Sequence, residues 1–129
     1  MKKLIWTSIL SGFAVVLCVL CMFYVMTVSD KAATSVKNIQ NSFSNSQFKA
    51  AEAEVEELDE FWESNHTMLS IIIHHDMLEE IEESISLIKS TVKTSEDSND
   101  PDFWLESSSA LVELKNLREV EIPTLGNIL

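Results

Sequence analysis

The stretch SIIIHHDMLEE, Ser70 to Glu80, brings together the side chains with the most chemical reach in this sequence: two adjacent histidines, an aspartate and a pair of glutamates. On a helix His75 and Glu79 are four residues apart and share a face, the spacing at which two side chains can reach one metal ion. Zinc takes three or four protein ligands, and no motif here supplies the rest. The H-E-x-x-H pattern is absent, because position 79 is Glu where its second histidine would stand. His66 lies eight or nine residues before His74 and His75, roughly 80° or 180° around a helix, so it does not complete a set. The expectation is that His74, His75, Asp76 and Glu79 form no transition-metal site. One histidine is expected half-buried and the other solvated.

The acidic residues are the next group with a chemical meaning. Between Ala50 and Ile88 there are twelve Asp and Glu and no Lys or Arg, in a chain of net charge −12. Such a run reads as a solvated helix face, or as a docking surface for a basic partner or a site of weak, diffuse divalent-cation binding. It excludes nucleic acid as a partner, since phosphate binding needs Lys and Arg to displace counterions. DSNDPD lacks the glycine and the distant bidentate glutamate of an EF-hand calcium loop. Asn65-His66-Thr67 matches the N-glycosylation pattern, within helical sequence. No nucleophile–base pair, glycine-rich phosphate loop or pair of catalytic carboxylates can be argued, so no catalytic residue, cofactor or enzyme activity is expected.

The elements that would position these groups begin in a different solvent. Lys2 and Lys3 are the only charges before Asp30, and Leu4 to Ser29 carry none, while all 21 Asp and Glu lie from Asp30 onward. A helix of 26 uncharged residues spans roughly 39 Å, more than the ~30 Å hydrocarbon core of a bilayer. A cleavable signal peptide has an apolar region of only ~7–15 residues. Thr27-Val28-Ser29 is the sole weak cleavage candidate, and the leucines before Cys18 and Cys21 argue against a lipoprotein signal. Residues 1–29 therefore read as an uncleaved signal-anchor, a single pass with Trp6 and Tyr24 near the two interfaces. Lys2 and Lys3 favour a cytoplasmic N-terminus, Lys31 and Lys37 weaken that bias, and the long C-terminal part favours export. Both cysteines fall inside the apolar segment, so the rest of the chain has no disulfide.

Two glycines and two prolines in 129 residues leave little material for tight turns, and the composition points to an all-α fold. Residues 30–46 read as a stalk helix leaving the membrane, broken near Asn45 by NSFSNSQ. Residues 47–129 read as a small antiparallel helical bundle. Val55, Leu58, Trp62, Asn65, Leu69 and Ile72 form one helical stripe, and Leu78, Ile81, Ile85, Ile88 and Val92 form a second on a different phase. The change of phase falls on the histidines, as a supercoil adjustment, a shallow kink or a wider apolar face, with Ser64-Asn65 as the alternative helix boundary. KTSEDSNDPDFW is a loop in which Asp100 caps a helix opened by Pro101. Along that helix Trp104, Leu111, Leu114 and Leu117 lie near one face, with Phe103 and Ala110 beside them. Ile122-Pro123 is expected to end it, leaving an apolar tail, TLGNIL, to pack back on the bundle or to meet a partner. Trp62 and Trp104 are expected to be largely buried.

The lysine-led anchor, Trp62 in the first outer helix, the segment HHDMLEEIEESISLI and the ending IPTLGNIL together resemble a family of small bacterial membrane-anchored proteins, domain of unknown function 4363. The resemblance covers nearly the whole chain and implies a non-enzymatic protein of the cell envelope. It assigns a role to no residue. The expected function is a membrane-anchored, extracytoplasmic interaction or structural partner of another envelope protein. The alternative is a pH- or cation-responsive module using His74 and His75.

Overall fold

Nothing in the first 44 residues breaks a helix: no proline occurs there, and the one glycine, Gly12, stands in open space. In the computed structural model, which describes the backbone of residues 1–128 and side chains as far as Arg118, this stretch is a single helix, α1, Lys2–Ser44. Three more follow: α2 Phe48–Ile72, α3 His75–Thr94 and α4 Pro101–Ile128. Each packs antiparallel on its sequence neighbour, and α4 closes the ring against α1, giving an up-down-up-down four-helix bundle.

The helix ends follow local chemistry. Past Ser44 the Asn45 amide donates to Asn41 O, and Ser46 turns into the left-handed region at φ 60° so that the Gln47 amide reaches Ser42 O. At α4 the side chain of Asp100 accepts the Asp102 amide at 3.0 Å, the N-cap that the Asp-Pro pair announces. The α2–α3 connection differs from expectation. No kink or phase drift occurs at the histidines, and no boundary at Ser64-Asn65; the chain reverses completely through Ile73 and His74. Both residues are extended, at φ −104° and ψ 152° for Ile73 and φ −59° and ψ 135° for His74, so the reversal needs no glycine. The two stripes differ in phase because they belong to two helices facing one core.

That core takes in Val55, Leu58, Trp62 and Leu69 of the α2 stripe, with Ala51 added, and all of Leu78, Ile81, Ile85, Ile88 and Val92 from α3, while Asn65 and Ile72 are half-buried at its edge. From α4 the buried row is Phe103, Ser107, Ala110, Leu114 and Leu117, which leaves Trp104 and Leu111 half-buried at its edge. Residues 30–46, expected as a stalk, are a full member of the bundle: Ala32, Val36, Ile39 and Phe43 are completely buried. Phe43 stacks on Phe103 at 3.7 Å between ring centroids and meets Phe48 and Trp104 edge-on, closing the end of the bundle that carries both longer loops. The Trp104 indole N–H donates to Ser98 O at 2.9 Å and pins the α3–α4 loop.

α4 does not stop at Ile122-Pro123; it continues to Ile128. Proline withdraws one amide from the ladder, the one that would reach the carbonyl of Glu119, yet its fixed φ of about −65° is itself helical. Packing of the tail side chains lies outside the described residues.

Three contacts set how far the other helices reach along α1. The Tyr24 hydroxyl donates to Asn65 Oδ1 at 2.5 Å, Ser29 Oγ donates to Leu114 O at 2.7 Å, and Arg118 Nη1 meets Asp30 Oδ1 at 3.1 Å. Beyond these points α2 continues to Ile72 and α4 to Ile128, roughly 10 Å and 15 Å further toward the N-terminal end of α1. α1 is accordingly half-covered at Val19, Cys21 and Met22, whereas residues 1–18 are exposed on every side.

Trp62 is 2% exposed and its indole N–H has no hydrogen-bond partner. Its contribution is therefore apolar. Trp62→Ala is expected to cost about 3–5 kcal/mol. Trp62→Phe, which removes the orphaned donor, is expected to cost well under half of that. Thermal unfolding of both variants in detergent checks the ranking.

Candidate functional site

The histidines that opened the sequence reading sit on the α2–α3 turn. His74 is the N-terminal flanking residue of α3 and its side chain makes no capping bond. His75 Nε2 lies 2.9 Å from Glu79 Oε1, one helical turn on, with both side chains mostly in solvent. Asp76 stands in the first turn of α3, where a carboxylate faces the positive end of the helix dipole. These residues are neighbours in space because they are neighbours in sequence, and among the described residues no other element brings a ligand to them. Among the described residues no group of three or more His, Cys, Asp or Glu is arranged to hold a metal ion.

The histidine that joins two elements is His66. Its Nδ1 meets Glu82 Oε1 at 2.5 Å across the α2–α3 seam. Further up the same seam Lys89 Nζ lies 3.0 Å from Asp59 and 3.3 Å from Glu56, and Lys93 Nζ lies 3.2 Å from Glu56. Hydrogen bonds from Lys93 and then Lys89 hold the Glu56 carboxyl below its usual range, and Asp59 followed by Glu56 raises the Lys89 ammonium. Solvent screens pairs of this kind, so they add little net stability. They set the register of α2 against α3 more than they hold the helices together. Sequence spacing alone had not revealed this role of His66; the signal was a reversal at residues 73–74, which puts 66 opposite 82 and 59 opposite 89.

The acidic character is divided over several faces. Glu57 and Glu60 are exposed on α2, and Glu79, Glu80 and Glu83 on α3. Between α3 and α4, Ser84 Oγ donates to Glu113 Oε2 at 2.8 Å. Partial burial pushes the Glu113 carboxyl up; the Ser84 bond opposes this, and Glu80, Glu106 and Glu83 add to the rise. On the α1–α2 face, Asp30, Lys31, Thr34, Ser35, Glu57 and Phe61 line an open groove, with Lys31 Nζ 5.9 Å from the Phe61 ring centre. Asn65, the glycosylation-pattern residue, uses its amide fully: Nδ2 donates to Phe61 O while Oδ1 accepts from Tyr24.

Fold and geometry together define a four-helix bundle whose first helix alone, among the described residues, is long and apolar enough to cross a membrane. The chain belongs to the DUF4363 family, a domain of unknown function, whose family model matches residues 19–128. The resemblance read from Trp62, HHDMLEEIEESISLI and the NIL ending is correct. The match opens at Val19, where the other helices begin to cover α1. No curated protein and no solved structure matches the chain.

Because the Glu113 carboxyl is raised in the folded chain, its protonated form is the one folding favours. That contribution is complete below the unfolded carboxylate range and is lost as pH rises through the folded value. Glu113→Gln, which keeps a partner for Ser84 without the charge, is expected to stabilise the bundle at neutral pH and to flatten its fall in stability as pH rises out of the ordinary carboxylate range. Denaturant unfolding of both proteins across that range checks the sign.

Proposed function

We propose that this protein is a non-enzymatic envelope component: a bundle held outside the cytoplasm by its uncleaved first helix, offering its acidic faces to another membrane protein. The observation that carries the reading is the continuity of α1. Val25, Val28 and Ser29, at 0–3% exposure, are core residues on the same helix as the apolar segment. A cut at Thr27-Val28-Ser29 would take Val25 and the Tyr24–Asn65 hydrogen bond out of the bundle. Retention of the segment is thus favoured by folding itself.

The exposed carboxylates of α2 and α3 suit a partner with a basic surface, through electrostatic complementarity that steers encounter and fixes orientation. The second reading, a pH- or cation-responsive module, moves from His74 and His75 to His66, since His66 bridges two helices through Glu82.

Mass measurement of the protein recovered from membranes is expected to give the full chain, extractable by detergent and not by alkaline carbonate. A Ser90→Cys variant is expected to react with an impermeant maleimide on intact cells. A mature chain beginning beyond Ser29, or labelling of position 90 only after lysis, overturns the anchored, outward-facing reading. A photo-crosslinking residue at Glu60 is expected to yield a discrete adduct with one membrane protein. Absence of any adduct there overturns the docking role.

A further inference from the structure

We propose that the α2–α3 turn is a second membrane contact, seated in the headgroup–acyl boundary of the same bilayer leaflet from which α1 emerges. The proposal rests on the anchored reading above and adds a lipid surface as the occupant of the bundle's base.

The first observation is a length. Residues 2–18 are the part of α1 in which every residue is exposed, and at 1.5 Å per residue they measure about 25 Å. A hydrocarbon core is ~30 Å thick. The free segment is too short to carry the bundle clear of the membrane, so its base must meet the lipid. The apolar segment of the sequence does extend to Ser29, but its last third is packed along one face by the bundle, with Val25 and Val28 buried.

The second observation is the register. Asn65 is fixed level with Tyr24, so the rest of α2 and the turn at Ile73 and His74 project alongside α1 to about the level of residues 16–18. The turn is therefore beside the membrane segment and not remote from it.

The third is composition. From Ser64 to His75 there is no Asp, Glu, Lys or Arg, in a chain otherwise dense with carboxylates. Ile71 is 75% exposed and Met68 52%, with Ile72 and Met77 half-buried beside them. Water is the wrong solvent for that tip. Its backbone is part satisfied, the Ile73 amide by Leu69 O at 2.8 Å and the Leu78 amide by His74 O at 3.2 Å, while the first amides of α3 have no side-chain cap and need headgroup water, which keeps the turn at the boundary. Across the turn Asp76 is level with Ile72 and Glu79 with Leu69, so these carboxylates hold the tip at the depth of the headgroups, where water reaches them. They favour zwitterionic over anionic lipid.

The test uses the full chain with Cys18→Ser and Cys21→Ser, reconstituted in phosphatidylcholine vesicles. Nitroxide labels are placed singly through Phe13→Cys, Ile71→Cys and Leu105→Cys, three positions exposed in the structure. Collision with oxygen reports lipid, and collision with a neutral nickel chelate reports water. Labels at 13 and 71 are expected to meet oxygen and exclude nickel, and the label at 105 the reverse. If 13 is in lipid and 71 is open to nickel, the proposal is overturned while the anchor stands. If 71 is closed to both reagents, a protein covers the tip, a second copy or another chain, and the proposal is equally overturned. If 13 itself is in water, the anchored reading fails first. Circular dichroism confirms that each labelled chain is folded, and Met68→Cys replaces position 71 should that variant lose helix.

Discussion

The amide–carbonyl ladder of α1 runs unbroken from the apolar segment into the bundle core, and the remaining helices are arranged around that rod. In lipid a helix satisfies its own backbone, which is why an apolar segment takes this form. In water a helix needs a packed face to persist. α1 meets both demands in one element, apolar on every side up to residue 18 and apolar on one side from Val25 to Phe43. α2 and α4 lie against that one side, and α3 completes the ring. The hydroxyl of Ser29, which would otherwise be a buried polar liability, donates to the Leu114 carbonyl and ties α4 to the point where the two regimes meet.

A strongly acidic chain must also limit its own repulsion. The basic residues are spent economically. Lys89 and Lys93 serve the α2–α3 seam and Arg118 serves Asp30 across α1 and α4. Where a carboxyl falls at a seam without a cation, as Glu113 does beside Ser84, the fold tolerates an acid held partly out of water. Burial of a Leu, Ile or Phe side chain contributes about 1.5–3 kcal/mol against the 0–1 of an exposed ion pair. The stripes therefore decide the stability, and the charges decide alignment and surface.

Periodicity made both long stripes legible, because buried positions on a helix recur every three or four residues; all of those read on α3 are core, and on α2 only Asn65 and Ile72 stop half-buried at its edge. The Asp100-Pro101 cap and the break at Asn45 were legible through side chains that favour helix ends. The reversal at Ile73 and His74 was visible only as a shift of phase. Two extended residues can turn a chain without glycine or proline, so no residue type marks the spot. The bundle role of residues 30–46 was obscured by their polarity: Ser29, Ser42 and Gln40 are satisfied by partners on other helices, which a single helix cannot reveal. At Pro123 residue type was a poorer guide than backbone geometry. Of the candidate site, the spacing of His75 and Glu79 was readable, and the pairing of His66 with Glu82 followed only once the turn was placed.

The absence of any break between residue 2 and Ser44 makes the molecule a crankshaft. A helix turns by about 100° per residue, so one residue inserted near position 10 would swing the whole bundle by that angle about the membrane segment while leaving the contacts within the bundle intact. Orientation in azimuth is thus encoded in a count of residues. Whichever face of the segment meets a neighbour in the bilayer dictates which carboxylates confront that neighbour above it, and rotation below the surface is delivered undiminished to the aromatic cluster at the far end.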